Sequence, residues 1–338
     1  MNKPVFIIAE AGVNHNGDVE VAKKLIEAAA ETGADCVKFQ TWVTEDIIDV
    51  NAPKAKYQIE NDGESTQYEM LKQLELSFDD FRLLKKHAEF CNIMFLSTPD
   101  DEKSLDFLTD ELKLSIIKVG SGEVTNLPFL KRIGKKQKNI ILSTGMATME
   151  EVKRAYNTLF EAGATSISLL HCTSNYPAAY DSVNLKAMLT LKNVFNVPVG
   201  YSDHTIGNEV SVAAVALGAS IIEKHFTLDK KMKGPDHVAS IDVTELKRLV
   251  AEIRNVEKAL LGDGEKKPHH SENETKKIVS KGIYLALDVS AGTIFTDDMF
   301  IMKRPLQEIA ADKFDNILGK KAKHNLVKGQ ALSLSDFE

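Results

Sequence analysis

The chain has 338 residues, 43% hydrophobic and 27% charged, an ordinary globular balance with room for one large α/β barrel and a small second domain. A formal net charge of −7, with its basic residues scattered, argues against a nucleic-acid partner. Cys36, Cys91 and Cys172 are too sparse for a disulfide framework, and no apolar run is long enough to span a bilayer, so a cytoplasmic protein without a membrane segment is expected.

Met1-Asn2-Lys3-Pro4 leads directly into Val5-Phe6-Ile7-Ile8-Ala9, an unbroken apolar run of the kind a strand buried on both faces shows, ending at Glu10. Residues 12–17 read as a turn, with Asp18 placed to cap a helix that runs to Thr32 and stops at Gly33. Asp35-Cys36-Val37-Lys38-Phe39 is the next strand, followed by Gln40-Thr41. Residues 42–77 are polar and partly helical, a long barrel connection of the kind that is functional or mobile. A helix over 78–90 leads to the strand 93–96 and then Ser97-Thr98-Pro99. After a helix over 101–112 the strand 115–119 ends in Gly120-Ser121-Gly122-Glu123. A short helix over 127–134 precedes the strand 139–142 and Ser143-Thr144-Gly145-Met146. A helix over 149–162, ended by Gly163, precedes the strand 166–170 and His171-Cys172-Thr173; a helix over 184–195 follows.

The next stretch is the most informative. Gly200-Tyr201-Ser202-Asp203-His204-Thr205 is followed by a helical segment, 207–218, with an apolar stripe through Val210, Ala213, Ala214 and Leu217. Then come Ser220-Ile221-Ile222-Glu223-Lys224-His225-Phe226-Thr227 and Gly234-Pro235-Asp236-His237, with a last helix over 243–261. Two strands joined by one helix predict a βαβ unit with parallel neighbours, so His204 and His225 should stand side by side.

Eight short apolar strands, each followed by a helix, predict a (β/α)8 TIM barrel over 1–262; the alternative, an open doubly wound sheet, accounts less well for eight regular repeats. The strand ends carry Glu10; Lys38 with Gln40; Ser97 with Thr98; Lys118 with Ser121; Ser143 with Thr144; His171; Asp203 with His204; and Glu223 with His225. Active sites of such barrels lie at that face. Residues 263–277 read as a linker in which His269-His270 is solvated, and 278–338 as a small β-rich domain with strands near 284–287 and 299–302.

An imidazole pair at one strand edge suits a borderline divalent metal; two histidines held by hydrogen bonds without a metal are the alternative. Lys38 and Lys118, with the hydroxyl-rich turns at Ser121 and Ser143, suggest a phosphate and carboxylate pocket. Schiff-base chemistry, or ion pairs with Glu10 or Glu223, are the competing readings of the lysines. Glu10 is a candidate general base or water-orienting group, or the partner of a rim lysine. His15 faces substrate or serves only its turn, and Cys172 is expected near the site. No GxGxxG, GxxxxGK[ST] or G-x-S-x-G sequence supports dinucleotide, nucleoside-triphosphate or serine-hydrolase chemistry. A metal held by two histidines keeps open positions for Lewis-acid work. Together these features suggest a phosphorylated acid reacting with a carbonyl compound.

The set Glu10-Ala11-Gly12-Val13-Asn14-His15-Asn16-Gly17, Val37-Lys38-Phe39-Gln40-Thr41, Lys118-Val119-Gly120-Ser121-Gly122-Glu123, Leu142-Ser143-Thr144-Gly145-Met146, Tyr176-Pro177, Ser202-Asp203-His204-Thr205, Glu223-Lys224-His225-Phe226-Thr227 and Gly234-Pro235-Asp236-His237 resembles the sialic acid synthase family in order through the barrel. The tail resembles that family's antifreeze-like (SAF) domain. The resemblance implies a metal-dependent condensation of phosphoenolpyruvate with an N-acetylmannosamine-type sugar and water, giving N-acetylneuraminate or a related nonulosonic acid and phosphate. N,N'-diacetyllegionaminate from 2,4-diacetamido-2,4,6-trideoxymannose is the alternative product. It further implies that His204 and His225 hold Mn²⁺, with Mg²⁺ or Co²⁺ as alternatives. Lys38, Lys118, Ser121 and Ser143 would hold phosphoenolpyruvate, and Glu10 would position or deprotonate water. Gln40, Thr98, Tyr176 and Asp236 would face the sugar, joined by Arg304 of the partner subunit in a domain-swapped homodimer.

The chain departs from the family at Asp100, where Phe is usual after Ser-Thr-Pro, at Ser280-Lys281-Gly282-Ile283, and at Leu306-Gln307-Glu308. These positions bear on the sugar and the tail, not on the metal or phosphate residues. A metal-dependent barrel hydrolase and a non-catalytic carbohydrate-binding protein are the competing classes. The first lacks an HxH after the first strand, and the second has no lost rim residue to support it.

Overall fold

In the computed structural model, which describes residues 3–54, 58–59 and 65–338, the apolar runs form eight parallel strands. These are β1 (Phe6–Gly12), β2 (Cys36–Thr41), β3 (Met94–Pro99), β4 (Ile116–Val119), β5 (Asn139–Ser143), β6 (Ser166–Cys172), β7 (Val199–Asp203) and β8 (Ile221–Thr227). They pair in the order β3-β2-β1-β8-β7-β6-β5-β4, and β3 packs beside β4, so the ring is nearly closed. A short β9 (Ile241–Asp242) adds to β8. This is the expected (β/α)8 barrel, with helices around it.

Side-chain alternation divides each strand. Ile8, Cys36, Leu96, Ile141, Leu170 and Ile221 fill the barrel interior as an apolar plug. Their neighbours, among them Ile7, Val37, Phe95, Ile117, Leu142, Leu169 and Ile222, face the helices in a continuous outer core. Each fully buried aliphatic side chain contributes about 1.5–3 kcal/mol. Gly200 takes the plug position of β7, where an added Cβ would lie 2.3 Å from the Ile221 carbonyl oxygen and 2.7 Å from Leu170.

The helices start and stop where local chemistry directs. Asp18 accepts from the amides of Glu20 and Val21 at the head of the Val19–Thr32 helix, and Gly33 closes it in the left-handed region at φ 80°. Thr148 and Glu151 form a reciprocal cap on the Met149–Ala162 helix, closed by Gly163. The helix expected from residue 184 begins instead at Ala187, because Asn184 sits at φ 45° behind a 3-10 turn at Tyr180–Ser182. The expected helix over 101–112 is α-helical at Glu102–Asp106 and widens into a π-turn at Phe107–Glu111. Within 42–77, Thr44–Ile47 and Gln67–Leu74 are helical; residues 55–57 and 60–64 lie outside the described residues. At the N-terminal end of the barrel, Arg254 donates to Asp35 Oδ2 (2.7 Å) and to the Val5 carbonyl (2.8 Å).

The chain divides into units Met1–Leu261 and Gly262–Glu338. In the second unit, the stretch expected as linker carries a 3-10 turn at His270–Glu272 and a helix at Asn273–Val279, with His269 and His270 both exposed. Strands β10 (Gly282–Leu285) and β11 (Phe300–Lys303) pair antiparallel, and isolated bridges such as Val289–Leu326 and Ala322–Phe337 complete a β-rich unit. Its core is Ile283, Leu285, Val289, Phe295, Phe300, Ile317, Leu326 and Leu332. Among the described residues no helix is long and apolar enough to cross a membrane.

Candidate active site

Two residues beyond the apolar plug, the same inward parity delivers polar groups. Ile8 gives way to Glu10, Cys36 to Lys38, Leu96 to Thr98, Ile141 to Ser143, Leu170 to Cys172, Gly200 to Ser202 and Ile221 to Glu223. Lys118 enters from β4 and Ser121 from the 3-10 turn that follows it. One step higher stand Gln40, His204 and His225. The ladder between β1 and β2 shifts register between Glu10 and Gly12, beside the site, and resumes with Gly12 opposite Phe39.

These groups form one buried network. Lys38 Nζ lies 2.8 Å from Glu10 Oε2 and donates to Thr98 Oγ1 at 3.1 Å, while Gln40 Nε2 donates to Glu10 Oε1 at 3.3 Å. Lys118 Nζ donates to Ser143 Oγ at 2.7 Å and lies 3.6 Å from Glu223 Oε1, which also accepts from Ser202 Oγ at 2.8 Å. Glu223 Oε2 is 3.7 Å from Lys38 Nζ, so this carboxylate stands between both ammonium groups. Burial pushes the Glu10 carboxyl above the usual range, opposed by Lys38 and reinforced by Glu223. Burial acts the same way on Glu223, but Lys118, Lys38 and the Ser202 hydroxyl outweigh it and hold Glu223 below the usual range. Burial pulls Lys118 down, with the like charge of Lys38 adding to it; in Lys38, the two carboxylates overcome burial and raise the pKa. Ser121 Oγ accepts from the Gly145 amide at 2.9 Å and touches Cys172 Sγ at 3.2 Å. An added Cβ at Gly145 would come within 2.9 Å of both atoms, so glycine permits this close packing.

His204 and His225 face each other with ring centroids 5.5 Å apart, and the Tyr176 ring lies 4.2 Å from His204 and 5.7 Å from His225. His204 Nδ1 donates to the Thr173 carbonyl at 2.7 Å; a carbonyl can only accept, so the neutral ring keeps its lone pair on Nε2. Burial lowers the pKa of both rings. His225 Nδ1 is buried without a hydrogen-bond partner, 3.7 Å from Asp236 Oδ2, and burial raises the Asp236 pKa to about 6. Two neutral imidazoles, one oriented by a carbonyl and one with an unsatisfied buried nitrogen, fit a divalent cation. No group of three or more His, Cys, Asp or Glu side chains placed to hold a metal ion occurs among the described residues.

The structure thus brings together Glu10, Lys38, Gln40, Thr98, Lys118, Ser121, Ser143, Tyr176, His204, His225 and Asp236. Arg304 is exposed just beyond β11 in the second unit. Several residues expected at the rim turn outward, because adjacent residues on a strand take opposite faces. Ser97 contacts Thr41 Oγ1, His171 Nε2 meets the Val183 carbonyl at 2.7 Å, and Asp203 points toward the helical layer. His15 serves its turn, with Nδ1 accepting from the Gly17 amide, and its ring lies 6.0 Å from outward-facing Phe39. Ser202 is the group that the sequence reading misses, although it stands two places before His204 and so shares its face; Glu223, expected as an ion-pair partner of the rim lysines, lies within 3.7 Å of both.

The profile of the NeuB family matches residues 25–266, and that of the SAF domain matches residues 280–338. This chain belongs to the NeuB family. It is 51% identical over 326 residues to the N,N'-diacetyllegionaminic acid synthase of Campylobacter jejuni subsp. jejuni serotype O:2, covering 96% of this chain and 97% of the relative. It is 48% identical to the enzyme of the same name from Legionella pneumophila subsp. pneumophila, covering 98% and 94%. Among solved structures, the N-acetylneuraminic acid (sialic acid) synthetase of Leptospira borgpetersenii serovar Hardjo-bovis, in complex with citrate, superposes with a TM-score of 0.70 at 36% identity, covering 81% of this chain and 90% of that one. The chain is therefore an enzyme of the NeuB nonulosonate synthase family, with a TIM barrel followed by a SAF domain.

Proposed function

We propose that this enzyme condenses phosphoenolpyruvate with 2,4-diacetamido-2,4,6-trideoxymannose and water, yielding N,N'-diacetyllegionaminate and inorganic phosphate. The observation that carries the reading is the convergence of two ammonium groups and two neutral imidazoles at one buried mouth. The choice of sugar is supported by the relatives at 51% and 48% identity.

Lys38 and Lys118 pair with the phosphate and carboxylate of phosphoenolpyruvate, and Ser121 and Ser143 hydrogen-bond to them. His204 and His225 would hold Mn²⁺, or Mg²⁺ or Co²⁺ in its place, which would supply Lewis-acid polarisation of the sugar aldehyde. Carbon 3 of phosphoenolpyruvate attacks that aldehyde, water adds at carbon 2, and phosphate departs by C–O cleavage. Glu10, held at 2.8 Å by Lys38, orients the water and takes its proton. Tyr176, Asp236, Gln40 and Thr98 face the sugar. The exposed apolar residues Met146, Tyr180, Ile206 and Val238, on loops at the mouth, support a cover supplied by the SAF domain of a second copy, with its Arg304 reaching the sugar. Light scattering should then give a dimer; a fully active monomer would remove Arg304 from the site.

The decisive assay is phosphate release from phosphoenolpyruvate, with Mn²⁺ or chelator, against N-acetylmannosamine, its 6-phosphate and 2,4-diacetamido-2,4,6-trideoxymannose. Turnover with the diacetamido sugar, abolished by chelator, is expected. Preference for N-acetylmannosamine would reassign the product to N-acetylneuraminate. Release without any sugar would overturn the condensation.

A further inference from the structure

Strands β7 and β8 carry polar groups on both faces. Between the inward pairs Ser202/His204 and Glu223/His225 lie the outward residues Asp203 and Lys224, directly paired in register. Their side chains are 0% and 2% exposed, and Lys224 Nζ lies 2.8 Å from Asp203 Oδ2. Asp203 Oδ1 accepts from the Thr205 amide at 2.9 Å and the Thr205 hydroxyl at 2.7 Å. Asp203 Oδ2 also accepts from Ser211 Oγ, on the Glu209–Ala216 helix, at 2.6 Å. Lys224 Nζ donates in turn to the Thr205 carbonyl at 2.7 Å.

The connectivity encloses the histidines. His204 lies between Asp203 and Thr205, and both of these are bonded to Lys224; His225 directly follows Lys224. A buried ion pair is a weak source of stability, since desolvation offsets its attraction. Nearby outward positions on the same strands, Tyr201, Ile222 and Phe226, fill this layer with rings and aliphatic groups. What an apolar pair cannot do is fix the rotation and separation of two strand ends, because its contacts have no direction.

We propose that Asp203 and Lys224, with Thr205 and Ser211, are positioning residues that set the spacing of His204 and His225 and thereby the divalent-cation affinity of the pair. The inference rests on the metal reading given above. Groups behind metal ligands typically contribute 10–100-fold to affinity.

The test is Mn²⁺ titration of the full-length protein by electron paramagnetic resonance, without substrates, alongside thermal unfolding. Asp203→Asn and Lys224→Met should each weaken Mn²⁺ binding about 10–100-fold, and Ser211→Ala a few-fold. Arg254→Met, which breaks contacts at the opposite end of the strands, should lower the melting temperature and leave Mn²⁺ affinity unchanged. Should the single charge changes fail to fold, the charge-balanced Asp203→Asn/Lys224→Met double variant and Ser211→Ala carry the test. Folded variants that bind Mn²⁺ like the wild type, with only the melting temperature altered, overturn the proposal. A wild-type protein that binds no Mn²⁺ rejects the metal reading itself, and does so before any substitution is made.

Discussion

At the lower level of the barrel interior the inward side chains of β1, β2, β3 and β5 are Ile8, Cys36, Leu96 and Ile141; two residues further along the same strands they are Glu10, Lys38, Thr98 and Ser143. The backbone is continuous and the parity identical, yet one layer is an apolar plug and the next a network of four buried charges. The lower layer gains free energy by leaving water. The upper layer loses it, and persists because Glu10 and Glu223 oppose Lys38 and Lys118 at 2.8–3.7 Å. Stability and chemistry are therefore separated by two residues along a strand rather than by domain.

Substitutions should separate the layers. The largest effect is expected at the mouth: His225→Ala should lower turnover at least about 10³-fold, equivalent to about 4 kcal/mol, with little change in melting temperature. Steady-state phosphate release beside thermal unfolding measures both. In the plug, Leu170→Ala should cost roughly 2–5 kcal/mol in urea denaturation. Turnover per folded molecule should stay near that of the wild type; a matching loss of both would mean the layers are coupled.

The inner and outer faces at the mouth should separate by pH. Burial lowers the His15 pKa to about 4 from an ordinary 6.5, with His237 adding to it and Asp18 opposing. The unfolded chain therefore binds the extra proton first as pH falls. Stability from this group is complete above pH 6.5 and declines toward pH 4, by up to about 3 kcal/mol. His15→Asn should flatten that part of the stability–pH curve; an unchanged slope would remove His15 as its source. The smallest effect belongs to the helical shell: Thr148→Ala should cost about 1 kcal/mol through its lost cap, without altering the KM for phosphoenolpyruvate.

Much of this was readable from residue order. Eight apolar runs, each closed by polar residues, specify a barrel and its working end, and the motifs around His204 and His225 point to one chemistry. Asp203, His171 and Ser97 were not readable in the same way. A strand buried on both faces has no hydrophobic alternation to say which face a polar residue takes. Asp203 is satisfied outside the barrel by Ser211 and Lys224, partners that only the packed helix and neighbouring strand supply. Glu223 is legible from the sequence as an ion-pair partner for the rim lysines; that it stands between both of them follows from β2 and β4, which bring Lys38 and Lys118 to it from far off in sequence. The helix at Asn273–Val279 arises within a stretch whose glycines, proline and paired charges read as linker.

The proposed condensation, in which phosphoenolpyruvate loses phosphate by C–O cleavage at the charged layer, can be followed with phosphoenolpyruvate labelled by ¹⁸O at the oxygen bridging carbon 2 and phosphorus, turned over with Mn²⁺ and the diacetamido sugar. The label should leave with inorganic phosphate, while the keto oxygen of the product comes from water. Label retained in the sugar acid would mean P–O cleavage, and would contradict the water-addition chemistry assigned to Glu10 and the two lysines.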